Sequence, residues 1–137
     1  MDIARHIALI DELCLRPFPA EHAFHLAELA AGHGLREVSD PAERAAAVDR
    51  YHHELEAVRD GLAPRRGEPH HLNLQTVQLR RAHEEIPEPW ASRSDEAGFA
   101  YLWEDPGTGR WIAVAVADRD PADEVRLLAV VTVIDPP

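Results

Sequence analysis

Three runs in the last third of the chain, Phe99 to Glu104, Arg110 to Ala117 and Val125 to Ile134, are apolar at nearly every position. Their β-branched and aromatic side chains favour strands. The connections, Asp105-Pro106-Gly107-Thr108-Gly109 and Arg119-Asp120-Pro121-Ala122-Asp123, carry the Pro and Gly of tight turns, so the runs read as a three-stranded antiparallel meander. Successive residues of a strand point to opposite faces. A sheet with one face in water therefore alternates apolar with polar residues, and these runs do not. Both faces need cover, either from helices of the same chain or, on one side, from a second copy or a partner. A symmetric first hairpin sets Glu104 opposite Arg110 and Trp103 opposite Trp111. One face then carries Phe99, Tyr101, Trp103, Trp111, Ala113 and Ala115, and the other Leu102, Ile112, Val114 and Val116.

The first half of the chain reads as helices that could supply the cover. Ile3, Ile7, Ile10 and Cys14 recur at helical spacing until Pro17 and Pro19 stop the run. A second helix is expected from about Pro19 to Ala31, closed by Gly32 and Gly34, with His33 placed at its carboxyl end. The third has the clearest signals: Ser39 or Asp40 as cap, Pro41 in the first turn, then Val48, Tyr51, Leu55, Val58 and Leu62 on one stripe. Gly61 and Pro64 are expected to end it. Ala63 to Pro69 reads as a connection. Leu72 to Leu79 reads as a strand that changes phase into a helical turn, and Pro87 to Ser94 as another connection. The expected fold is α+β: three amino-terminal helices, then a mostly antiparallel sheet of three or four strands with the meander at its end. At 137 residues it reads as a single domain, helical over residues 1–63, connecting over 64–70 and strand-rich over 71–135.

A hydrophobic content of 45% and a charged content of 28% exclude a disordered tail, a collagen and a disulfide scaffold. Lys+Arg is 14, all of it arginine, against Asp+Glu 25, for a formal net charge of −11. That balance argues against a grip on phosphate backbones, which needs cationic side chains, and Arg65-Arg66 and Arg80-Arg81 read as solvated doublets. Cys14 is the lone cysteine, so no internal disulfide can form, and it reads as a small core residue. No positive segment followed by an apolar one opens the sequence. The apolar run Leu127 to Ile134 falls far short of the roughly 20 residues of a membrane span. A cytoplasmic protein with neither nucleic acid nor membrane as partner is the expectation.

Nine histidines invite a metal reading. His22, His25 and Glu28 would share one side of the second helix, and His52 or His53 could join Glu56 on the third; imidazole and carboxylate pairs of this kind build metal sites in helical bundles. HExxH spacing is absent, as are a GxSxG elbow and a phosphate-cradling glycine loop. No cofactor and no catalytic residue are assigned on this basis. Between Glu84 and Glu124 eleven acidic residues face three arginines. Acidic loops beside aromatic side chains suit a basic protein partner, because complementary charge speeds encounter and rejects wrong partners. The expectation is a non-enzymatic acidic binding domain, of the immunity or antitoxin kind, contacting a basic partner through Tyr101, Trp103, Glu104, Asp105, Trp111, Asp118, Asp120 and Asp123. The rivals are a small metal-binding or hydrolytic enzyme using His22, His25, His52, His53 and Glu56, and a structural domain that pairs with itself as a homodimer.

Overall fold

The computed structural model describes residues 2–31 and 40–137. Among these, the elements run α1 (Ile3–Leu13), β1 (Phe24–Ala31), α2 (Pro41–Arg66), β2 (His70–Asn73), α3 (Leu74–Arg80), α4 (Trp90–Glu96), β3 (Phe99–Asp105), β4 (Arg110–Ala117) and β5 (Arg126–Thr132). The strands form one antiparallel sheet in the order β1-β5-β4-β3-β2. The fold is α+β with a carboxy-terminal meander, as read from the sequence.

Both faces of the meander are covered from within the chain. On one side α1 and α2 bury Ile10, Leu13, Leu55, Val58 and Leu62 against Trp103, Ile112, Val114, Leu127 and Val131. On the other, α3, α4 and the segment between them bury Leu74, Val77, Ile86 and Trp90 against Leu102, Ala100, Ala113, Ala115 and Val130. Three of those five sheet residues are alanines, which lets two seven-residue helices lie close on that face. Trp90, 1% exposed, anchors them there and donates its indole N–H to the Ile134 carbonyl at 3.1 Å.

The second amino-terminal helix expected from Pro19 to Ala31 is instead strand β1, and the sheet has five strands rather than three or four. Phe24-His25-Leu26-Ala27-Glu28-Leu29-Ala30-Ala31 is rich in good helix formers. It is held extended by pairing with β5, from Phe24 opposite Thr132 to Ala31 opposite Arg126, with a register shift between Glu28 and Ala30. Gly32, His33, Gly34 and Ser39 lie outside the described residues. The third helix is present as α2: Asp40 accepts from the Ala42 N–H at 2.9 Å and Pro41 opens the first turn. It runs past the expected stops at Gly61 and Pro64. Pro64 falls in the last turn, where one missing N–H interrupts little of the helix, and Gly67, with φ +81°, closes it by bonding to the Ala63 carbonyl. The phase change after Leu72 is a cap: Asn73 ends β2 and accepts from the N–H groups of Gln75 and Thr76 to start α3. The connection expected over Pro87 to Ser94 contains the start of α4.

The meander's register differs from the symmetric closure by one residue. Asp105 faces Arg110, Glu104 faces Trp111 and Trp103 faces Ile112. The turn sets this, since the Asp105 carbonyl accepts from both Thr108 and Gly109, the latter at φ +70°. A slip of one exchanges the faces of a strand. Phe99, Tyr101 and Trp103 therefore share their side with Ile112, Val114 and Val116, while Trp111, Ala113 and Ala115 lie on the other.

Three arginines tie the layers together. Arg66, with its side chain 14% exposed, bridges Asp11 of α1 at 2.8 Å and Asp105 of the β3–β4 turn at 3.3 Å. Arg44 in the first turns of α2 donates to the carbonyls of Asp118, Asp120 and Asp123. Arg110 satisfies the Leu13 carbonyl at the end of α1 and the Arg16 carbonyl just past it, and lies over the Phe18 ring. Burial alone would raise the Asp11 carboxyl, but hydrogen bonds and attraction from Arg65 and Arg66 outweigh it and hold it below the ordinary range.

Two outcomes are expected. A Cβ at Gly61 would lie 2.3 Å from Ile7 Cδ1, at the crossing of α1 and α2. Gly61→Leu should lower the urea midpoint, costing about 1–3 kcal/mol by overpacking, and Ile7→Ala in the same chain should recover some of that loss. The depressed Asp11 carboxyl contributes stability above the ordinary carboxylate pKa of about 3.9 and loses it as the pH falls through the lower folded value. Asp11→Asn should flatten this acid limb in urea titrations between about pH 5 and pH 2.

Candidate functional site

Helical periodicity places His52, Glu56 and Arg59 on one stripe of α2, and strand periodicity places Phe99 and Tyr101 on one side of β3. The pairing of β2 with β3 sets His71 opposite Tyr101 and Asn73 opposite Phe99. These positions meet near the β2 edge of the sheet as a run of rings. His71 stacks on Phe99 with centroids 4.6 Å apart and planes 10° from parallel; His52 lies on Phe99 at 6.1 Å. Tyr101 meets Phe99 edge-on at 5.4 Å and leads inward to Trp103. His71 is exposed, Phe99 and Tyr101 are half-buried, and Trp103 is sealed at 2% exposure.

Carboxylates surround the rings. The Tyr101 hydroxyl donates to both oxygens of Glu56, at 2.5 and 2.9 Å, and the Arg59 guanidinium lies 5.4 Å from the Tyr101 ring centroid. Burial, then the hydrogen bond to Glu56 and its negative charge, pushes the Tyr101 phenol up to about 12. Tyr101 is therefore a fixed donor rather than a base at physiological pH. His52 Nε2 donates to Asp118 Oδ2 at 3.0 Å, and Asp118 is itself positioned by Arg44 through its carbonyl. A shallow hollow of about 180 Å³ lies between Asp49, His52, His53 and Glu56.

Tyr101 and Asp118 of the expected partner-binding set are thus brought to one surface, together with His52, His53 and Glu56 of the expected metal set. The other expected residues are not. Trp103 is inside, donating its indole N–H to the Gly67 carbonyl at 2.9 Å. Trp111 is on the opposite face and donates to Asp135. Glu104 and Asp105 are at the β3–β4 turn, Asp105 engaged by Arg66 and Thr108. Asp120 and Asp123 follow Asp118 in the β4–β5 connection, where Arg44 binds the backbone carbonyls of all three, but their carboxylates have partners within that connection: Asp120 accepts from the Ala122 N–H and Asp123 pairs with Arg126. Phe99, His71 and Arg59 belong to the site but not to the expected set. The i, i+2 spacing of Phe99 with Tyr101 marks the first, whereas His71 enters through a strand pairing that spacing does not reveal.

The helical metal arrangement on His22, His25 and Glu28 does not form. His22 precedes β1 and donates to the Phe24 carbonyl, and His25 donates to Arg16. On a strand, residues three apart point to opposite faces, and Glu28 is exposed while His25 is half-buried. His53 donates to its own helix at Asp49. Among the described residues no three His, Cys, Asp or Glu side chains are placed to hold a metal ion. Cys14 is buried beside Arg66, and burial raises its thiol pKa. No helix among the described residues is long and apolar enough to cross a membrane. Comparison with protein families, with curated proteins and with solved structures finds no match for this chain.

The raised phenol pKa has a measurable sign. A folded value above the ordinary 10 favours the folded state below pH 10, and that contribution is lost as the pH rises through about 12. Ultraviolet titration of the folded protein should find a tyrosine still protonated at pH 11, and Glu56→Gln should lower its ionisation toward the ordinary range.

Proposed function

We propose that this chain is a non-enzymatic binding domain for a basic protein, and that the Tyr101–Phe99–His71 surface is the centre of its contact. The observation that carries the reading is the placement of solvent-reachable rings directly beside the carboxylates of Glu56 and Asp49. Tyrosine is enriched at binding hot spots, where a rigid ring supplies contact area and a polar tip supplies direction. The net charge of −11 adds long-range attraction for a cationic partner. A neutraliser of the immunity or antitoxin kind, covering a basic active surface, is the specific form of this reading.

The test is capture of partners by tagged protein in its native cells, repeated from low to high salt and with two exposed-site variants. A basic protein should be retained at low salt and released as salt rises. Its affinity should fall at least tenfold for Glu56→Arg and for His71→Ala, and stay unchanged for Glu85→Gln. Retention of no basic protein at low salt, or equal retention by the Glu56→Arg chain, would refute the proposal.

Self-association is a second reading, favoured by one observation. β1 is an eight-residue edge strand whose outer side pairs with nothing among the described residues, and Leu26 upon it is 45% exposed. Unprotected edges of this length template pairing with another copy. Sedimentation that stays monomeric across a hundredfold concentration range would exclude it.

A further inference from the structure

Imidazoles and carboxylates meet at the ring surface in a proportion that matters for its charge. Asp49, His52, His53 and Glu56 line one hollow on α2. Asp118 reaches His52 from the β4–β5 connection at 3.0 Å, and His71 comes from β2 to stack on Phe99. Two arginines border the group. Arg59 pairs with Glu68 at 2.6 Å and lies 4.0 Å from Asp60, and Arg44 binds the Asp118 carbonyl at 3.1 Å. His70 adjoins His71 but points to the other side of β2, and Tyr101 is a neutral donor to Glu56. Five carboxylates against two guanidinia leave this surface with three net negative charges while the imidazoles are neutral. Three imidazolium charges, on His52, His53 and His71, bring it to zero.

Histidine is the side chain whose charge ordinarily changes between pH 5 and 8, and ordinary carboxylates are ionised across that window. The contacts of these histidines suit both states. A protonated His71 on the Phe99 ring is a cation over a π face, 4.6 Å from its centroid. A protonated His52 keeps Asp118 as its partner, in a charge-assisted hydrogen bond. Acid therefore changes the charge of the surface while its rings stay in place. Given that this surface binds a basic protein, as proposed above, we infer that His52, His53 and His71 make the binding pH-dependent: the partner is held at neutral pH and released as the pH falls toward 5. Losing the complementary charge removes the attraction for a cationic partner and supplies no contact in exchange.

A nona-arginine peptide serves as probe, its binding to the whole chain followed by fluorescence anisotropy at pH 7.5 and pH 5.5 at one low ionic strength. Affinity should fall at least tenfold from the higher pH to the lower. Glu56→Arg should lose at least tenfold at pH 7.5, which locates the peptide on this surface. The triple variant His52→Gln, His53→Gln, His71→Phe keeps a ring on Phe99 and removes the titrating groups, so its affinity should change less than threefold between the two pH values. His22→Gln with His83→Gln removes imidazoles that precede β1 and follow α3, and should keep the full tenfold fall. Equal binding at both pH values overturns the pH dependence and leaves the binding surface standing. Peptide bound at neither pH, or bound equally by Glu56→Arg, defeats both together. A tenfold fall retained in the triple variant, or abolished in the His22 and His83 variant, overturns the assignment to these three histidines. The far-ultraviolet circular dichroism of the wild type should be the same at both pH values; its loss at pH 5.5 would trace the fall to unfolding and overturn the inference.

Discussion

Burial of the central strands on both sides at once is the interaction on which the rest of the molecule depends. β4 and β5 are buried along almost their whole length, and neither face can be left to water without exposing a continuous apolar surface. The two covers are built differently. α1 and α2 bring large aliphatic side chains to a face that itself carries Trp103, Ile112 and Leu127. α3 and α4 are short and depend on one tryptophan and on alanines beneath them. The asymmetry follows from side-chain volume, since a close-packed interior must fill the space between layers with whatever the opposing side leaves vacant.

That arrangement decides where recognition can occur. Trp103 and Trp90 at the middle of the layers are consumed as core, while Phe99 and Tyr101 stay half-buried where β3 runs out from under α2 toward the short β2 edge. Charge is distributed by a similar constraint. Arginines at layer boundaries bind carbonyls and carboxylates of the same chain; Arg66 and Arg126 engage the carboxylates of Asp105 and Asp123, and that of Asp118 accepts from His52.

The meander was legible because its signals are local: β-branched runs, turn residues and the double-sided apolar pattern lie within forty residues of one another. α2 was legible from Asp40, Pro41 and its apolar stripe for the same reason. β1 was not, because its alanines, leucines and glutamate favour a helix and the β5 ladder that overrides them lies about a hundred residues away. The hairpin register was missed by one residue because two N–H groups converge on Asp105, a detail of turn geometry that spacing does not encode. This single slip moved Trp111 away from Tyr101 and divided the expected binding set. Tyr101 and Asp118 were identified in sequence and do meet at the surface, but His71 arrives through β2, and Glu56 was read as a metal ligand rather than as the acceptor for a phenol.

The pairing of β1 with β5 also bears on how the chain is made. β1 leaves the ribosome with its only described sheet neighbour still to be synthesised, and at about 5–20 residues per second the wait is on the order of 5–20 seconds. For most of that interval β3 and β4 have not been translated either, so α1 and α2 have no floor to pack on. Assembly of the sheet is therefore a late event, gated by the arrival of Arg126–Thr132. The nascent amino-terminal half must keep its apolar stripes from competing contacts until the final strand slots between its two neighbours.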